Sequence, residues 1–381
     1  MSLSKSKSNT NANPSLVTDH SESEASPSAV EKHTDHMLTQ ASIQDPATSD
    51  EVDFVHDAVL LPETVAAVLG VKSLPTQKDE SKPQKSLQVS GVYVDATFGR
   101  GGHSRLLLSQ LADDARLIVF DKDPTAISVA NALASEDKRV HVVHDSFATL
   151  TTSLAALGIT QVDGLMADLG ISSPQIDDGS RGFSFMRDGA VDMRMDTSRG
   201  QSVAEWLKYV DEETLANVLY EFGEERHSRR IARAIKQMES YDSTLALAEV
   251  IKVAHPNWQR GKHPATQSFQ AMRIFINNEL GDVDDFLAQS IPLLKAGGQL
   301  AVISFHSLED RRIKQFLQRH SKGQYPEDEN LPMPPKRPRY FSKPKRVGPS
   351  KAETSRNPRA RSAWLRMATR TDSDYVIDNA P

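Results

Sequence analysis

The sequence predicts a doubly wound α/β fold that carries an inserted helical subdomain. Between residues 92 and 168, four short apolar segments alternate with amphipathic segments, at the spacing typical of parallel strands joined by helices. From residue 176 to residue 261 the alternation gives way to a loop and successive helical patterns, and strand signals return after residue 262. A parallel sheet with helices on both faces, interrupted by a helical insertion, accounts for these three observations.

The first part of the sheet is predicted from four strands and the helices between them. A short helix at residues 62–69 precedes them, with Pro62 near its first turn, where proline is tolerated. The strands are expected at residues 92–94, 117–120, 140–143 and 162–167. The connecting helices are expected near residues 106–111, 124–133 and 150–157.

The insertion is predicted to be a loop followed by helices with recognisable ends. Ser202 and Glu205 have the spacing of a capping box, in which each side chain bonds the backbone N–H of the other residue. Asp211 can cap the next helix, which is expected to end at Gly223. Two further helices are expected at residues 229–238 and 244–254.

The second part of the core is predicted to return to the sheet. Helices are expected at residues 268–280, 286–294 and 308–319, with a turn at 295–298 and a strand at 300–305. Residues 321–360 are rich in proline, lysine and arginine and are expected to form a loop. Residues 363–368 are expected to form a final edge strand.

These patterns divide the chain into five predicted parts. They are a disordered tail at 1–52, a first core part at 53–175 with a surface insertion at 72–90, the helical subdomain at 176–261, a second core part with a basic loop at 262–370, and a flexible tail at 371–381. The first tail is expected to be disordered because it has few large apolar residues with which to form a core.

Composition excludes several classes of chemistry. The chain contains no cysteine, which rules out disulfides, thiolate metal ligands and cysteine nucleophiles, and the sequence predicts no metal site. It contains no apolar run of about 18 residues and no apolar core of a secretory signal at its N-terminus, so we expect neither a membrane span nor a membrane partner. We therefore expect a cytoplasmic protein.

Charge is distributed unevenly along the chain. The net charge is −6, but residues 336–370 hold twelve lysines and arginines against one acid, Glu353. This segment is expected to contact nucleic-acid phosphates, although such charge runs are often only solvated.

A glycine-rich turn and an acid after the next strand indicate a cofactor site. The turn reads Gly99-Arg100-Gly101-Gly102, follows Asp95, and precedes a helix. Asp121 ends the next strand, 20 positions after Gly101, where a carboxylate can bind both ribose hydroxyls. The pattern lacks the G-x-G-x-x-G that seats a dinucleotide pyrophosphate, and the upstream acid suits the ammonium of S-adenosylmethionine better. A structural turn without a ligand is the alternative.

Two later strand ends are expected to complete the same pocket. Phe147 follows the third strand and can stack on an adenine, or it can be an ordinary core residue. Asp168 follows the fourth strand. Because ligands of open α/β sheets bind outside the carboxyl ends of the strands, Gly101, Asp121, Phe147 and Asp168 are expected to line one crevice.

Longer motifs resemble one family closely. They are the glycine turn, residues 168–175 (DLGISSPQ), 181–189 (RGFSFMRDG), 192–196 (DMRMD), 263–266 (HPAT), 304–311 (SFHSLEDR) and 357–362 (NPRARS). Together they resemble the bacterial 16S ribosomal RNA (cytosine-N4) methyltransferase family, RsmH or MraW, over roughly residues 54 to 370. The N-terminal fifty residues and the 72–90 segment depart from the family pattern.

The resemblance implies a Rossmann-like, S-adenosylmethionine-dependent methyltransferase. Its expected product is a cytidine methylated on the N4 exocyclic amine in the decoding centre of 16S ribosomal RNA, with the small ribosomal subunit as partner. The implied cofactor contacts are Gly101, Gly102, His103, Asp121, Phe147, Asp168 and Gln175. His103 and Gln175 rest on the resemblance alone.

The implied reaction makes modest demands on the protein. The amine must be held in line with the donor methyl group, and a nearby acceptor must bind its hydrogens. Asp168 or a backbone carbonyl near residues 172–174 can be that acceptor; alternatively, Asp168 only contacts the cofactor. The candidates for RNA contact are Ser173, Pro174, Arg194 and His306.

For some of these residues a structural role is an equal alternative. Arg181, Arg187 and Arg194 can grip RNA or can pair with Asp188, Asp192 and Asp196. His306 can face the crevice or be a buried histidine. The competing functions are a dehydrogenase, a non-catalytic RNA-binding factor, and a methyltransferase acting on protein or DNA. The sequence does not indicate the oligomeric state.

Overall fold

The computed structural model describes residues 58–75, 86–256, 263–325, 328, 331–333 and 335–375. The predicted tail at 1–52, the middle of the 72–90 insertion and most of the predicted tail at 371–381 lie outside the described residues. Within them, no helix is both long and apolar enough to cross a membrane.

A seven-stranded sheet organises the fold, and the predicted α/β class is confirmed. The strands are β1 Val92–Asp95, β2 Arg116–Asp121, β3 Val140–His144, β4 Val162–Asp168, β5 Leu294–Ser304, β6 Lys345–Val347 and β7 Trp364–Thr369. Their order is β3-β2-β1-β4-β5-β7-β6, with β1 to β5 parallel and β7 antiparallel to both of its neighbours. The strand order reverses at β1, which places a ligand crevice at the carboxyl ends of β1 and β4.

Helices cover both faces of the sheet. They are α1 Leu61–Val68, α2 Gly102–Leu108, α3 Pro124–Glu136, α4 Leu150–Ala156, α11 Glu279–Leu293, α12 Ser307–Lys322 and α13 Lys351–Arg356. Strand β2 shows how two apolar cores arise: Ile118 and Phe120 join one cluster, while Leu117 and Val119 join the cluster on the opposite face. Successive side chains of a strand alternate between faces, so a fully apolar strand feeds both cores.

The inserted helices form a third apolar core. They are α6 Val203–Tyr209, α7 Glu212–Gly223, α8 Ser228–Lys236, α9 Thr244–Ala254 and α10 Ala265–Ile276, and they are preceded by the short α5 Ser173–Asp177, which lies outside this core. The core includes Trp206 and Leu219, and Phe269 and Met272 of α10 also belong to it. The helical cluster therefore extends past residue 261, because α10 buries its apolar face against α7 rather than against the sheet.

The predicted helix at 268–280 continues too far, because the helix is interrupted between α10 and α11. Residues 268–280 were expected to be continuous, but α10 ends at Ile276 and α11 begins at Glu279, seven residues before its predicted start. Asn278 breaks the helix because its φ of 52° lies in the left-handed region, which asparagine tolerates better than most residues. This break turns the start of α11 toward the carboxyl ends of the strands, where Glu279 and Asp282 line the ligand cleft.

The predicted turn at 295–298 is also wrong, because these residues belong to β5. Val162 of β4 pairs with Leu294 of β5, and Gly164, two residues later, pairs with Gln299, five residues later. The additional residues of β5 between these two pairs form a bulge. Gly297 adopts a φ of 84°, which the glycine permits.

The expected edge strand at 363–368 is an internal strand. It corresponds to β7, which is flanked by β5 and by β6. Strand β6 and helix α13 lie within the segment 321–360 that was expected to be a loop. A three-residue strand reading Lys-Arg-Val carries almost no period-2 signal, and charged residues are common on edge strands.

Capping at Ser202 offers a stability test. The Ser202 N–H donates to Glu205 Oε2 at 2.7 Å and the Glu205 N–H donates to Ser202 Oγ at 3.2 Å, as the sequence predicted. Ser202→Ala is expected to lower the free energy of unfolding by about 1 kcal/mol, because it removes the cap of α6. Urea unfolding followed by circular dichroism measures this change. Ser135→Ala, at an exposed site inside α3, is the control and should leave the unfolding midpoint nearly unchanged.

Candidate active site

A cleft of about 700 Å³ opens at the carboxyl ends of β1, β2, β3, β4 and β5. It is lined by the loops that follow these strands, by the start of α11, and by residues near Asn357 and Ser362. Arg181, which was considered for RNA contact, lines it, as do nine further sequence candidates: Gly102, His103, Asp121, Phe147, Asp168, Ser173, Pro174, Gln175 and His306. Two further candidates, Gly101 and Arg194, are not among the described residues that line it.

Gly101 supports the turn from below the cleft. It precedes α2 with a φ of 78°, and a Cβ atom there would come within 2.6 Å of the Phe98 ring. Gly99 does line the cleft, and a Cβ atom on it would meet nothing within 4 Å. Gly101 was expected to line the crevice, but Gly99 lines it instead, while Gly101 allows the tight turn.

Asp121 is held rigidly by the backbone around it. Its Oδ2 accepts the Gly99 N–H at 2.7 Å and its Oδ1 accepts the Asp123 N–H at 2.8 Å. Burial raises the pKa of the Asp121 carboxyl above its ordinary value, and these backbone donors oppose the rise. Each oxygen can accept a further hydrogen bond, so the carboxylate can bind two adjacent hydroxyl groups.

Asp95 and His103 lie beneath the same turn. Asp95 accepts from Ser104 Oγ at 2.6 Å, and burial raises its pKa to about 6. Burial lowers the pKa of His103 to about 4, so its imidazole is neutral near pH 7. Since the Val59 carbonyl, 3.2 Å from His103 Nε2, can only accept, the proton is assigned to Nε2. His103 Nδ1 is left as an acceptor, 3.8 Å from Asp168 Oδ2.

Asp168 is a buried carboxyl with an unused acceptor. Its backbone N–H donates to Thr97 Oγ1 at 2.6 Å, which fixes the end of β4. Its Oδ1 is buried and has no hydrogen-bond partner within the described part of the chain. Burial raises its pKa well above the ordinary value, and the nearby Asp95 and Glu309 carboxyls raise it further. An unsatisfied buried acceptor in a cleft is a binding atom for a donor from outside the protein.

Phe147 is only partly buried and borders the cleft. Its ring packs edge-on against Phe286 of α11, with 5.5 Å between ring centroids. It is therefore anchored in the sheet core and also available to a planar ligand, so both roles considered for it are compatible.

Gln175 is engaged in holding the loop after β4. Its Nε2 donates to Asp123 Oδ2 at 2.8 Å, and its Oε1 accepts the Ser172 N–H at 2.8 Å. Arg181 also donates to Asp123 Oδ2 at 2.8 Å. Ser173 and Pro174 lie on this loop and are thereby fixed at the cleft wall.

The other loop arginines have structural partners. Arg194 donates to both carboxylate oxygens of Asp192, at 2.8 and 2.7 Å. Arg187 donates to the Asp177 carbonyl at 2.7 Å. Of the expected pairings only Arg194 with Asp192 forms, because Asp196 pairs with Arg199 and Asp188 accepts from Ser243 instead.

A buried ion-pair cluster at the cleft was missed by the sequence analysis. Arg273 donates to both oxygens of Glu279 at 2.7 Å. Glu309 accepts the Phe305 N–H at 2.8 Å, and its Oε1 lies 3.0 Å from His306 Nε2. His306 is thus a half-buried residue that also faces the cleft. The i, i+3 spacing of His306 and Glu309 was the available signal, but Arg273 and Glu279 come from another part of the chain.

The cluster also brings together potential metal ligands. One ligand atom each from Glu279, His306 and Glu309 lie within 4.8 Å of one another. Both glutamates already accept hydrogen bonds from Arg273 or from the Phe305 N–H. We therefore interpret these three residues as a hydrogen-bonded network that holds the side chains lining the cleft in place.

The cleft carries an excess of negative charge. Eight carboxyl-bearing residues line it against five lysines and arginines. Three of the five cations pair with lining acids: Lys122 with Asp282, Arg181 with Asp123 and Arg273 with Glu279. Four of the lining acids have no ion pair to a described lysine or arginine: Asp121, Asp168, Asp178 and Glu309. A cleft of this kind favours a ligand that carries positive charge.

Comparison with known proteins relates this chain to one family. The sequence profile of the MraW methylase family matches residues 53–371. The chain is 87% identical over 342 residues to the ribosomal RNA small subunit methyltransferase H of Psychrobacter cryohalolentis, covering 90% of this chain and 100% of that protein. It is 53% identical over 317 residues to the protein of the same name from Acinetobacter baylyi, covering 83% of this chain and 99% of that protein.

Proposed function

The chain belongs to the MraW methylase family, and on this premise we propose that it methylates the N4 exocyclic amine of a cytidine in the decoding centre of 16S ribosomal RNA. The methyl donor is S-adenosylmethionine. The observation that carries the proposal is the buried Oδ1 of Asp168 at the cleft, which has no hydrogen-bond partner among the described residues and can accept a hydrogen bond from a target amine.

The residues of the cleft fit this donor. Asp121 would bind the ribose hydroxyls, since its two oxygens are oriented by backbone donors. Phe147 would stack on the adenine, and the open backbone at Gly99 leaves room for the amino-acid portion. The excess of carboxylates suits a ligand that bears both an ammonium and a sulfonium. When bound, S-adenosylmethionine supplies an electrophilic methyl group.

The protein's part in catalysis is to orient and to accept hydrogen bonds. A cytosine amine is a weak nucleophile because its lone pair is delocalised into the ring. A carboxylate at Asp168 that accepts one amine hydrogen would localise the lone pair and stabilise the positive charge that develops on nitrogen. Thr97 fixes the backbone of Asp168 and thereby its direction. The absence of cysteine from the chain disfavours cytosine C5 methylation, which usually requires a thiolate.

The choice of 16S ribosomal RNA rests on the relatives and on the charge pattern. Both relatives described above are named small-subunit RNA methyltransferases, and together they span most of this chain. The basic segment 336–370 supports a nucleic-acid substrate because lysines and arginines neutralise backbone phosphates.

Labelled methyl transfer tests the proposal directly. Small subunits from a strain that lacks the modification are incubated with the protein and labelled S-adenosylmethionine, and the digested nucleosides are analysed by mass spectrometry. We expect the label in N4-methylated cytidine. Label only in 5-methylcytidine, or in no nucleoside, would refute the assigned acceptor.

A further inference from the structure

A second cleft, of about 620 Å³, lies between the C-terminal half of α12 and the chain around β7. Its cationic lining residues are Lys314, Lys322, Arg339, Lys343 and Arg366, and we call it the basic cleft. No acidic residue is among the described residues that line it. It lies outside the active cleft, with which it shares no lining residue.

Most of the charge in the basic cleft is unpaired. Lys314, Lys322, Arg339 and Lys343 are exposed, and none has a carboxylate oxygen of a described residue within 4.0 Å, although Lys314 acts on Asp310 from a greater distance. Arg366 is buried and donates to both oxygens of Asp310, at 2.7 and 2.9 Å, so this lining cation is already paired. The cleft therefore presents a concave positive surface of four available cations.

Helix stabilisation explains only part of this charge. Lys322 lies in the last turn of α12, where a cation interacts favourably with the helix dipole. Lys314 lies in the middle of the helix, beyond the reach of that effect. Arg339 and Lys343 come from a separate segment that packs beside it. Lys314 acts on Asp310, one helical turn before it, so only Arg339 and Lys343 have no local structural reason to converge on the cleft.

The fold connects this cleft to the active cleft through α12. Helix α12 begins at Ser307, next to His306 in the active cleft. Lys314 and Lys322 follow seven and fifteen residues later, which places them about 10 and 22 Å along the helix axis. Strand β7 runs antiparallel to β5, so Arg366 lies opposite Val302, before the carboxyl end of β5. A polynucleotide of several residues can span both clefts.

We propose that the basic cleft binds the sugar-phosphate backbone of ribosomal RNA several nucleotides away from the methylated base. This inference rests on the proposed function. Contacts to phosphates position a nucleic acid without reading its sequence, so the cleft would position the substrate and leave sequence selection to the active cleft. The aromatic lining residue, Phe341, is 1% exposed and cannot anchor a protein partner, whose interface would need an apolar centre.

The test uses the triple variant Lys314→Gln, Lys322→Gln, Lys343→Gln in the full chain. The matched control is Lys72→Gln, Lys138→Gln, Lys208→Gln, which removes the same charge from exposed lysines elsewhere. We expect the cleft variant to raise KM for small subunits and to leave kcat at saturation and S-adenosylmethionine affinity unchanged. The slope of log K against log salt for protein-free 16S RNA should fall by about 2 to 3, since three phosphate contacts are lost.

Each alternative result has a distinct meaning. A KM and salt slope equal to those of the control variant would overturn the inference. Weaker binding to subunits with unchanged binding to protein-free 16S RNA would also overturn it, because the partner would then be a ribosomal protein. If the unaltered chain methylates no RNA, the proposed function fails, whereas the salt dependence of RNA binding still tests the cleft.

Discussion

Asp121→Ala is expected to weaken S-adenosylmethionine binding by about 10- to 150-fold. A hydrogen bond to a charged acceptor contributes about 1.5–3 kcal/mol, and each 1.4 kcal/mol is tenfold in affinity. The effect should be large here because Gly99 and Asp123 hold the carboxylate in place before the ligand arrives. Isothermal titration calorimetry with S-adenosylmethionine measures the change directly.

Two companion variants separate lost binding from lost folding. Asp121→Asn keeps one carbonyl acceptor for these backbone donors and should lose less affinity than alanine. Asp113→Ala, at an exposed site before β2, should bind the donor as the unaltered protein does. Asp121→Ala with unchanged affinity would remove this residue from the cofactor site. Thermal unfolding must show that each variant is folded at the assay temperature.

The pH dependence of binding follows from the raised pKa of Asp121. The bound ribose requires the carboxylate, which is lost as pH falls through the pKa of the folded protein. Since burial raises that pKa, donor affinity should begin to fall at a higher pH than an ordinary aspartate would allow. The opposite trend, tighter binding on the acid side, is not consistent with this role.

The sheet could be predicted because its signals are local. Strands β1, β2, β3 and β4 are short apolar runs bounded by turns, and each was expected within about two residues of its observed ends. Strand β6 could not be predicted, since its three residues pair only because β7 lies beside them. The left-handed Asn278 was equally hidden, because its conformation depends on how α10 and α11 pack.

Only the part of the site that follows the carboxyl ends of the parallel strands could be predicted from the sequence. Asp121 at the end of β2 and Asp168 at the end of β4 line the same cleft, because the carboxyl ends of parallel strands lie at the same edge of the sheet. Gly99 rather than Gly101 faces the cleft, and this depends on the packing of Phe98, which the turn sequence does not specify. Arg273 and Glu279 reach the site through the break between two helices, so no motif spacing could place them there.

Asp168→Ala is expected to reduce kcat for methyl transfer by about 10²- to 10³-fold, the range for removing one hydrogen-bonding group aimed at a developing charge. Asp168 Oδ1 has no hydrogen-bond partner among the described residues, so the mutation breaks no protein hydrogen bond at this atom and should remove only its contact with the substrate. Single-turnover transfer to small subunits, with both substrates saturating, measures this step. Asp285→Asn, at an exposed site of α11 that does not line the cleft, is the control and should keep nearly full activity.

The two roles considered for Asp168 predict different kinetics. An acceptor for the amine would lower kcat on mutation and leave the S-adenosylmethionine Kd almost unchanged, because the contact forms only with the nucleotide present. A pure cofactor contact would raise that Kd and spare kcat at saturation. Retention of both constants in Asp168→Ala would rule out both roles.

The decrease of kcat at low pH tests the role of Asp168 independently. Burial, together with the Asp95 and Glu309 carboxyls, holds the pKa of Asp168 well above the ordinary value. Because the carboxylate is the active form, kcat should fall as pH decreases through this raised pKa, and Asp168→Ala should abolish that decrease. Asp95, whose pKa is about 6, could produce a similar decrease, but its effect would persist in the variant. If Asp168→Ala loses this decrease in kcat and keeps the cofactor Kd, then Asp168, rather than Asp95, is the carboxylate that accepts the hydrogen bond from the amine.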